Sequence, residues 1–271
     1  YVTNNGQNWL DSGETYTYQA DVTIDSLLPT SGPRSGSTEV TITGSNFVSG
    51  DILCKIGSNI ITPTFDSSNV IRCLTTATPG VDEEAQTVEV TNNQVDYTSS
   101  LIQFTFYEDP TVVSLEPLHG PALGGTYVTL TGTNFRDTRT LHCLFDGDNS
   151  LNVEAEFWDS EHVRCPTPDV SLVALATADP MTGEISNNNQ DFTADAVTYQ
   201  YDDDVTVSSV DPTYGPATGD VTVTIAGINF QNTGAELMCL FGSVAVPFDT
   251  FTNSNAITCK SPRLEPGVYT V

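Results

Sequence analysis

The sequence predicts an all-β chain made of three tandem β-sandwich domains. Three observations carry that prediction: a block recurring at nearly ninety-residue intervals, period-two alternation of β-branched residues, and one pair of cysteines in each recurrence. Length alone, 271 residues, would suggest two domains or one large one.

The recurring block begins at Leu28-Pro29-Thr30-Ser31-Gly32-Pro33 and returns at Glu116-Pro117-Leu118-His119-Gly120-Pro121 and Asp211-Pro212-Thr213-Tyr214-Gly215-Pro216. Each copy is followed by an alternating run, Val40-Thr41-Ile42-Thr43-Gly44, Val128-Thr129-Leu130-Thr131-Gly132 and Val223-Thr224-Ile225-Ala226-Gly227. Next come the pairs Asn46-Phe47, Asn134-Phe135 and Asn229-Phe230. A period near ninety is too long for a solenoid repeat and suits a small whole domain. Within each copy, short strands broken by Gly, Pro, Asn and Asp read as a sandwich. The Gly-Pro step fits an edge strand that breaks and changes sheets, because Pro cannot donate to a ladder and Gly tolerates the bend.

The six cysteines fall two per repeat: Cys54 and Cys73, Cys143 and Cys165, Cys239 and Cys259. An even count and similar spacing argue for three disulfides within domains and for an oxidising compartment. Zinc is the competing reading in repeat two, where His142-Cys143 and His162-x-x-Cys165 supply two His and two Cys. Repeats one and three keep the cysteines without a nearby His, which favours disulfides. His119 falls in a turn and reads as a solvated loop residue.

Charge excludes several partners. Eight Lys+Arg against 35 Asp+Glu give a net charge of −27, which opposes nucleic acid and anionic membrane surfaces. With 38 % hydrophobic and 9 % aromatic residues the chain can build cores, and no run of apolar residues approaches a membrane span. The sequence has no Asn-x-Ser/Thr sequon. No catalytic constellation emerges: the three His make no triad, and no Gly-rich phosphate loop opens a helix. An enzyme is therefore not expected.

The Gly-Pro step, the alternating run ending in Gly, the Asn-Phe pair and the Cys-Leu-Phe strand together resemble the IPT/TIG domain. Repeat two carries the resemblance best, through Gly120–Phe135, Cys143 and Cys165-Pro166-Thr167-Pro168; repeat one departs at Arg34-Ser35-Gly36-Ser37 and repeat three at Asp220. The resemblance implies an immunoglobulin-like module of the kind found in plexins, the hepatocyte growth factor receptor family and some transcription factors. It implies spacers, adhesive stalks and dimerisation domains rather than one activity. With so few basic residues, the extracellular branch is the better match.

Domains are expected over residues 22–109, 110–204 and 205–271. Residues 1–21, with Tyr1-Val2-Thr3 and then Tyr16 and Tyr18, read as the closing hairpin of a domain begun in another unit. The third domain reads as lacking those strands beyond Val268–Val271. Thr270-Val271 followed by Tyr1–Asn5 spells T-V-Y-V-T-N-N, against T-V-E-V-T-N-N at Thr87–Asn93. Such ends suit a unit of a longer tandem chain, a head-to-tail polymer completed by donor strands, or an arbitrary boundary in a receptor ectodomain. Acids gather at the junctions, at Asp21, at Glu108-Asp109 and at Asp202-Asp203-Asp204, where carboxylates would suit Ca²⁺ or form a solvated linker. Asp146-Gly147-Asp148-Asn149 reads as a polar hairpin tip. The main functional expectation is a structural subunit of an extracellular or cell-surface filament whose partners are like units head to tail. The alternative is a segment of a plexin-like receptor or adhesin.

Overall fold

The computed structural model describes residues 1–78, 85–146, 151–171, 180–195, 197–234 and 237–271, so the hairpin tip lies, past Asp146, outside the described residues. Domain 1 contains β1 (Thr23–Leu28), β2 (Ser31–Pro33), β3 (Glu39–Ser45), β4 (Leu53–Ile56), β5 (Asn59–Ile61), β6 (Thr64–Ser67), β7 (Val70–Leu74), β8 (Ala85–Thr91) and β9 (Gln103–Tyr107). Domain 2 repeats them as β10 (Thr111–Glu116), β11 (His119–Pro121), β12 (Tyr127–Thr133), β13 (His142–Phe145), β14 (Asn152–Glu154), β15 (Glu156–Phe157), β16 (His162–Pro166), β17 (Met181–Ser186) and β18 (Val197–Asp202). Domain 3 contains β19 (Thr206–Asp211), β20 (Thr222–Ile228), β21 (Met238–Phe241), β22 (Val244–Asn253) and β23 (Ala256–Lys260).

Domains 1 and 2 each stack a four-stranded sheet on a five-stranded one, in the orders β1-β3-β7-β6 and β2-β9-β8-β4-β5, with the same pattern in domain 2. The sheet change expected at Gly-Pro is present. Strand β1 runs antiparallel to β3, and after the cis Leu28-Pro29 bond β2 joins the other sheet parallel to β9. Strands β10 and β11 do likewise, which makes His119 a strand residue facing Gln200 rather than the loop residue expected from sequence. In domain 3, β22 pairs with both β21 and β23 and links the two layers.

Alternation delivers the cores. Val40 and Ile42 of β3, Val128 and Leu130 of β12, and Val223 and Ile225 of β20 point inward and are buried. The disulfides Cys54–Cys73, Cys143–Cys165 and Cys239–Cys259 join the two layers at the same place in every domain, with Cα atoms 6.7, 6.4 and 6.5 Å apart. Oxidised cysteines offer zinc no thiolate, so the zinc alternative at His142, Cys143, His162 and Cys165 is overturned; His162 Nδ1 sits 2.9 Å from Asp159 instead.

The Gly-x-Asn-Phe signature has a local cause. Asn46, Asn134 and Asn229 adopt left-handed φ values of 62, 61 and 65°, which Asn tolerates better than most residues. Their side-chain amides donate to the carbonyls of Asp21, Asp109 and Asp204 at 2.7, 2.9 and 2.9 Å, tying the start of each domain to its first hairpin. The paired Phe folds back over Gly44, Gly132 or Gly227, where a Cβ would strike the Phe ring and a carbonyl of the first strand. Asp220, at φ 65°, occupies the place of Ser37 and Gly125; the altered hydroxyl position is the next one, where Val221 replaces Thr38 and Thr126.

Two measurements check this account. Gly132→Ala is expected to lower stability by about 1–3 kcal/mol through overpacking, read by urea denaturation. Replacing Cys143 and Cys165 together by Ser is expected to cost roughly 3 kcal/mol, the entropy of a loop of about twenty residues.

Candidate functional site

Among the described residues the polar joints between domains are the strongest candidates for functional geometry. At the first joint, the turn between β17 and β18 presses onto domain 1. Asn188 Nδ2 donates to the carbonyl of Ser31 at 3.0 Å, and Thr38 Oγ1 donates to Asp191 Oδ2 at 2.6 Å. Thr38 and Asn188 are both buried, so these bonds are shielded from water and hold the two domains in one relative orientation. The Arg136 guanidinium lies 5.4 Å from the centre of the Tyr107 ring, a cation–π contact across the same joint. Burial pushes the Tyr107 hydroxyl well above its usual pKa, Asp191 adds to that, and Arg136 opposes it, so Tyr107 stays neutral at physiological pH.

The turn is built from its own side chains. Ser186 Oγ donates to Asn188 Oδ1 at 2.9 Å, and that oxygen accepts the amides of Gln190 and Asp191 at 3.1 and 2.9 Å. Asn187 points the other way, donating to the Asn134 carbonyl at 2.9 Å and accepting the Arg136 amide at 3.0 Å. One Asn thus fastens the turn within its domain, and the next reaches across the joint.

The second joint uses equivalent positions with different chemistry. Asp202 stands where Tyr107 stands and Gln231 where Arg136 stands, and Gln231 Nε2 donates to Asp202 Oδ1 at 2.9 Å. The other Asp202 oxygen lies 2.7 Å from His119 Nδ1. A cavity of about 650 Å³ opens here between His119 and Thr126 of domain 2 and Asn229 and Leu240 of domain 3.

The junction acids are dispersed among protein partners. Glu108 pairs with Arg34 at 3.0 Å, and Asp109 Oδ1 accepts the Ser35 amide at 3.1 Å. Asp21 and Asp204 contribute their main-chain carbonyls to the Asn anchors, and Asp203 also has an interaction partner. Among the described residues no three His, Cys, Asp or Glu side chains converge as metal ligands would. The inter-unit residues expected from sequence are not brought together within this chain. Tyr1, Val2, Tyr16 and Tyr18 are exposed and Thr3 is half-buried, while Val268 and Val271 border cavities along domain 3. Among the described residues, hydrogen bonds from residues 1–20 stay within that segment, with one bridge between Val2 and Leu10.

Sequence reading missed the joint residues Thr38, Asn188 and Asp191. The available signal was the recurrence of Thr/Ser-Asn-Asn at Thr91–Asn93, Ser186–Asn188 and Thr3–Asn5.

Three immunoglobulin-like sandwiches in series, each with a disulfide between its layers, define an extracellular or cell-surface multidomain chain. The family model for the IPT/TIG domain matches residues 22–106, 110–201 and 206–271. The chain belongs to the IPT/TIG domain family. It is similar to plexin-A3 of Rattus norvegicus, 26 % identical over a gapped alignment of 234 positions that covers 81 % of this chain and 12 % of that protein. It is also similar to plexin-A2 of Mus musculus, 26 % identical over a gapped alignment of 301 positions that covers 97 % of this chain and 14 % of that protein. The chain thus spans about an eighth of the length of these relatives. Among solved structures it resembles the plexin A4 full extracellular region in fold, with TM-score 0.50 and 21 % identity over 98 % of this chain and 23 % of that one. These likenesses favour the receptor segment over the filament subunit. Among the described residues no helix is long and apolar enough to cross a membrane.

Thr38→Val keeps the volume and removes the donor to Asp191. It is expected to cost about 1–3 kcal/mol, as for a shielded bond to a charged group. Small-angle scattering should show a wider spread of angles between domains 1 and 2.

Proposed function

We propose that this chain is a segment of the extracellular region of a plexin-like cell-surface receptor or adhesin, and that it holds binding surfaces at a fixed distance and orientation. The observation that carries the reading is the match to plexin-A2 along 97 % of the chain, with the three domains in uninterrupted series. The buried polar joint suits that role: hydrogen bonds such as Asn188 to Ser31 specify an orientation, which apolar contact alone does so less sharply. The net charge of −27 suits it as well, because like-charged sides of neighbouring rods repel. In this reading the segment is a non-catalytic spacer, and any protein or glycan ligand is bound through exposed loops.

Two measurements test it. An antibody raised against residues 1–271 is expected to stain intact, unpermeabilised source cells, with the signal lost after external protease; staining only after permeabilisation would sink the reading. Scattering from the isolated chain should give an elongated particle whose maximum dimension holds when salt is raised, whereas a hinge governed by repulsion between acids would contract.

A further inference from the structure

The four-stranded sheets of domains 1 and 2 carry an arginine at the same register position. Arg72 of β7 faces Thr41 of β3 and Thr64 of β6, and Arg164 of β16 faces Thr129 of β12 and Glu156 of β15. In domain 1 two carboxylates clamp the guanidinium. Arg72 Nε and Nη2 donate to the two oxygens of Asp66 at 2.8 and 3.1 Å, and Nη1 donates to those of Glu39 at 3.0 and 3.2 Å. In domain 2 aromatic rings hold both flanking places. Tyr127 faces Pro166 as Glu39 faces Leu74, and Trp158 follows Phe157 as Asp66 follows Phe65. Domain 3 has Thr258 in place of the arginine, opposite Thr224.

This exchange of acids for rings changes what the guanidinium has left to bind. The Arg164 guanidinium carbon lies 4.2 Å from the centre of the Tyr127 ring and 6.0 Å from that of Trp158. Among the described residues Arg164 has no carboxylate partner, in a chain with 35 acids. A ring engages the flat face of a guanidinium, whereas the N–H groups lie in its plane and remain for a further acceptor. Both rings also keep half their surface in water, 50 % for Tyr127 and 52 % for Trp158. Domain 1 shows which acceptor this position takes when one is at hand: a carboxylate, held by two parallel bonds.

The surrounding charges narrow the ligand further. Glu116, Thr129, Arg164 and Glu156 form one row across the sheet, each opposite the next, and both glutamates are exposed. An acidic peptide or a sulfated polymer brings several negative charges, which this row and the net charge of −27 repel. A carboxylated sugar brings one. Its hydroxyls donate to carboxylates such as Glu116 and Glu156, and its C–H face, slightly positive, packs on the negative face of an aromatic ring. We propose that Arg164, Tyr127 and Trp158 bind a carboxylated sugar at the end of a glycan. The sugar carboxylate takes the guanidinium edge that Asp66 takes in domain 1, and the sugar ring packs on the turn residue Trp158 and on Tyr127. Such a site goes beyond the receptor reading, since it belongs to domain 2 alone and does not depend on which larger protein carries it.

The test is saturation-transfer NMR on the full chain with sialyllactose, with lactose as the neutral control and a glutamate tripeptide as competitor. Transfer is expected on the protons of the acidic sugar, with none to lactose and no displacement by the tripeptide. The double variant Tyr127→Glu, Trp158→Asp rebuilds the domain 1 clamp around Arg164. Its denaturation midpoint should stay close to the parent's while sialyllactose binding weakens at least about tenfold, or about 1.4 kcal/mol. Arg164→Gln keeps both rings, removes the cation and should weaken binding as much. A parent chain that gives sialyllactose no transfer overturns the proposal, and so does equal transfer to lactose. Displacement by the tripeptide overturns it in favour of an acidic peptide, and binding that survives in either variant overturns it as well. A chain found on the cell surface that leaves sialyllactose unbound would remove this site alone; a chain that binds sialyllactose but is found only inside cells would remove the receptor reading alone.

Discussion

A sandwich of fewer than a hundred residues holds together only if its last two strands cover the core and pair with strands laid down at its beginning. In domains 1 and 2, β9 and β18 run parallel to the Gly-Pro strands β2 and β11, so the end of each domain clasps its start. The remaining features follow from that clasp. It buries the aromatic pairs, sets the edge along which β8 and β17 meet the cysteine-bearing strands, and thrusts the connecting turn of domain 2 toward domain 1. The disulfide then holds the two layers where the clasp has brought them. It joins β4 to β7, a different strand pair from the B–F bridge of antibody domains.

Much of this architecture was legible because it is made by residues with narrow conformational roles. Pro29 and Gly32 announce a strand that leaves its sheet, Val40 and Ile42 alternate at the period of a strand, and paired cysteines report a cross-link. The joints were hidden for the opposite reason. Thr38, Asn188 and Asp191 lie in loops without periodicity, and the bonds of Thr38 to Asp191 and of Asn188 to Ser31 exist only across the joint, where Thr38 and Asn188 are buried and Asp191 is half-buried. His119 was misread on the same grounds, since its strand is three residues long and exists only against β18. Periodicity cannot reveal a strand specified by its partner.

The two joints also show how one geometry tolerates different chemistry. Arg136 over Tyr107 and Gln231 against Asp202 occupy matching positions, one a cation on a ring and the other a neutral amide on a carboxylate. The positions are set by where the closing strand ends and where the Asn-Phe turn begins, whatever side chains they carry.

The Asn anchors have a consequence of their own. Each grips a main-chain carbonyl, at Asp21, Asp109 and Asp204, and leaves the carboxylate beside it outside the bond. Asp21 and Asp204 enter these anchors through the main chain alone, so replacing their side chains leaves the anchors standing, whereas replacing Asn46 or Asn229 removes them.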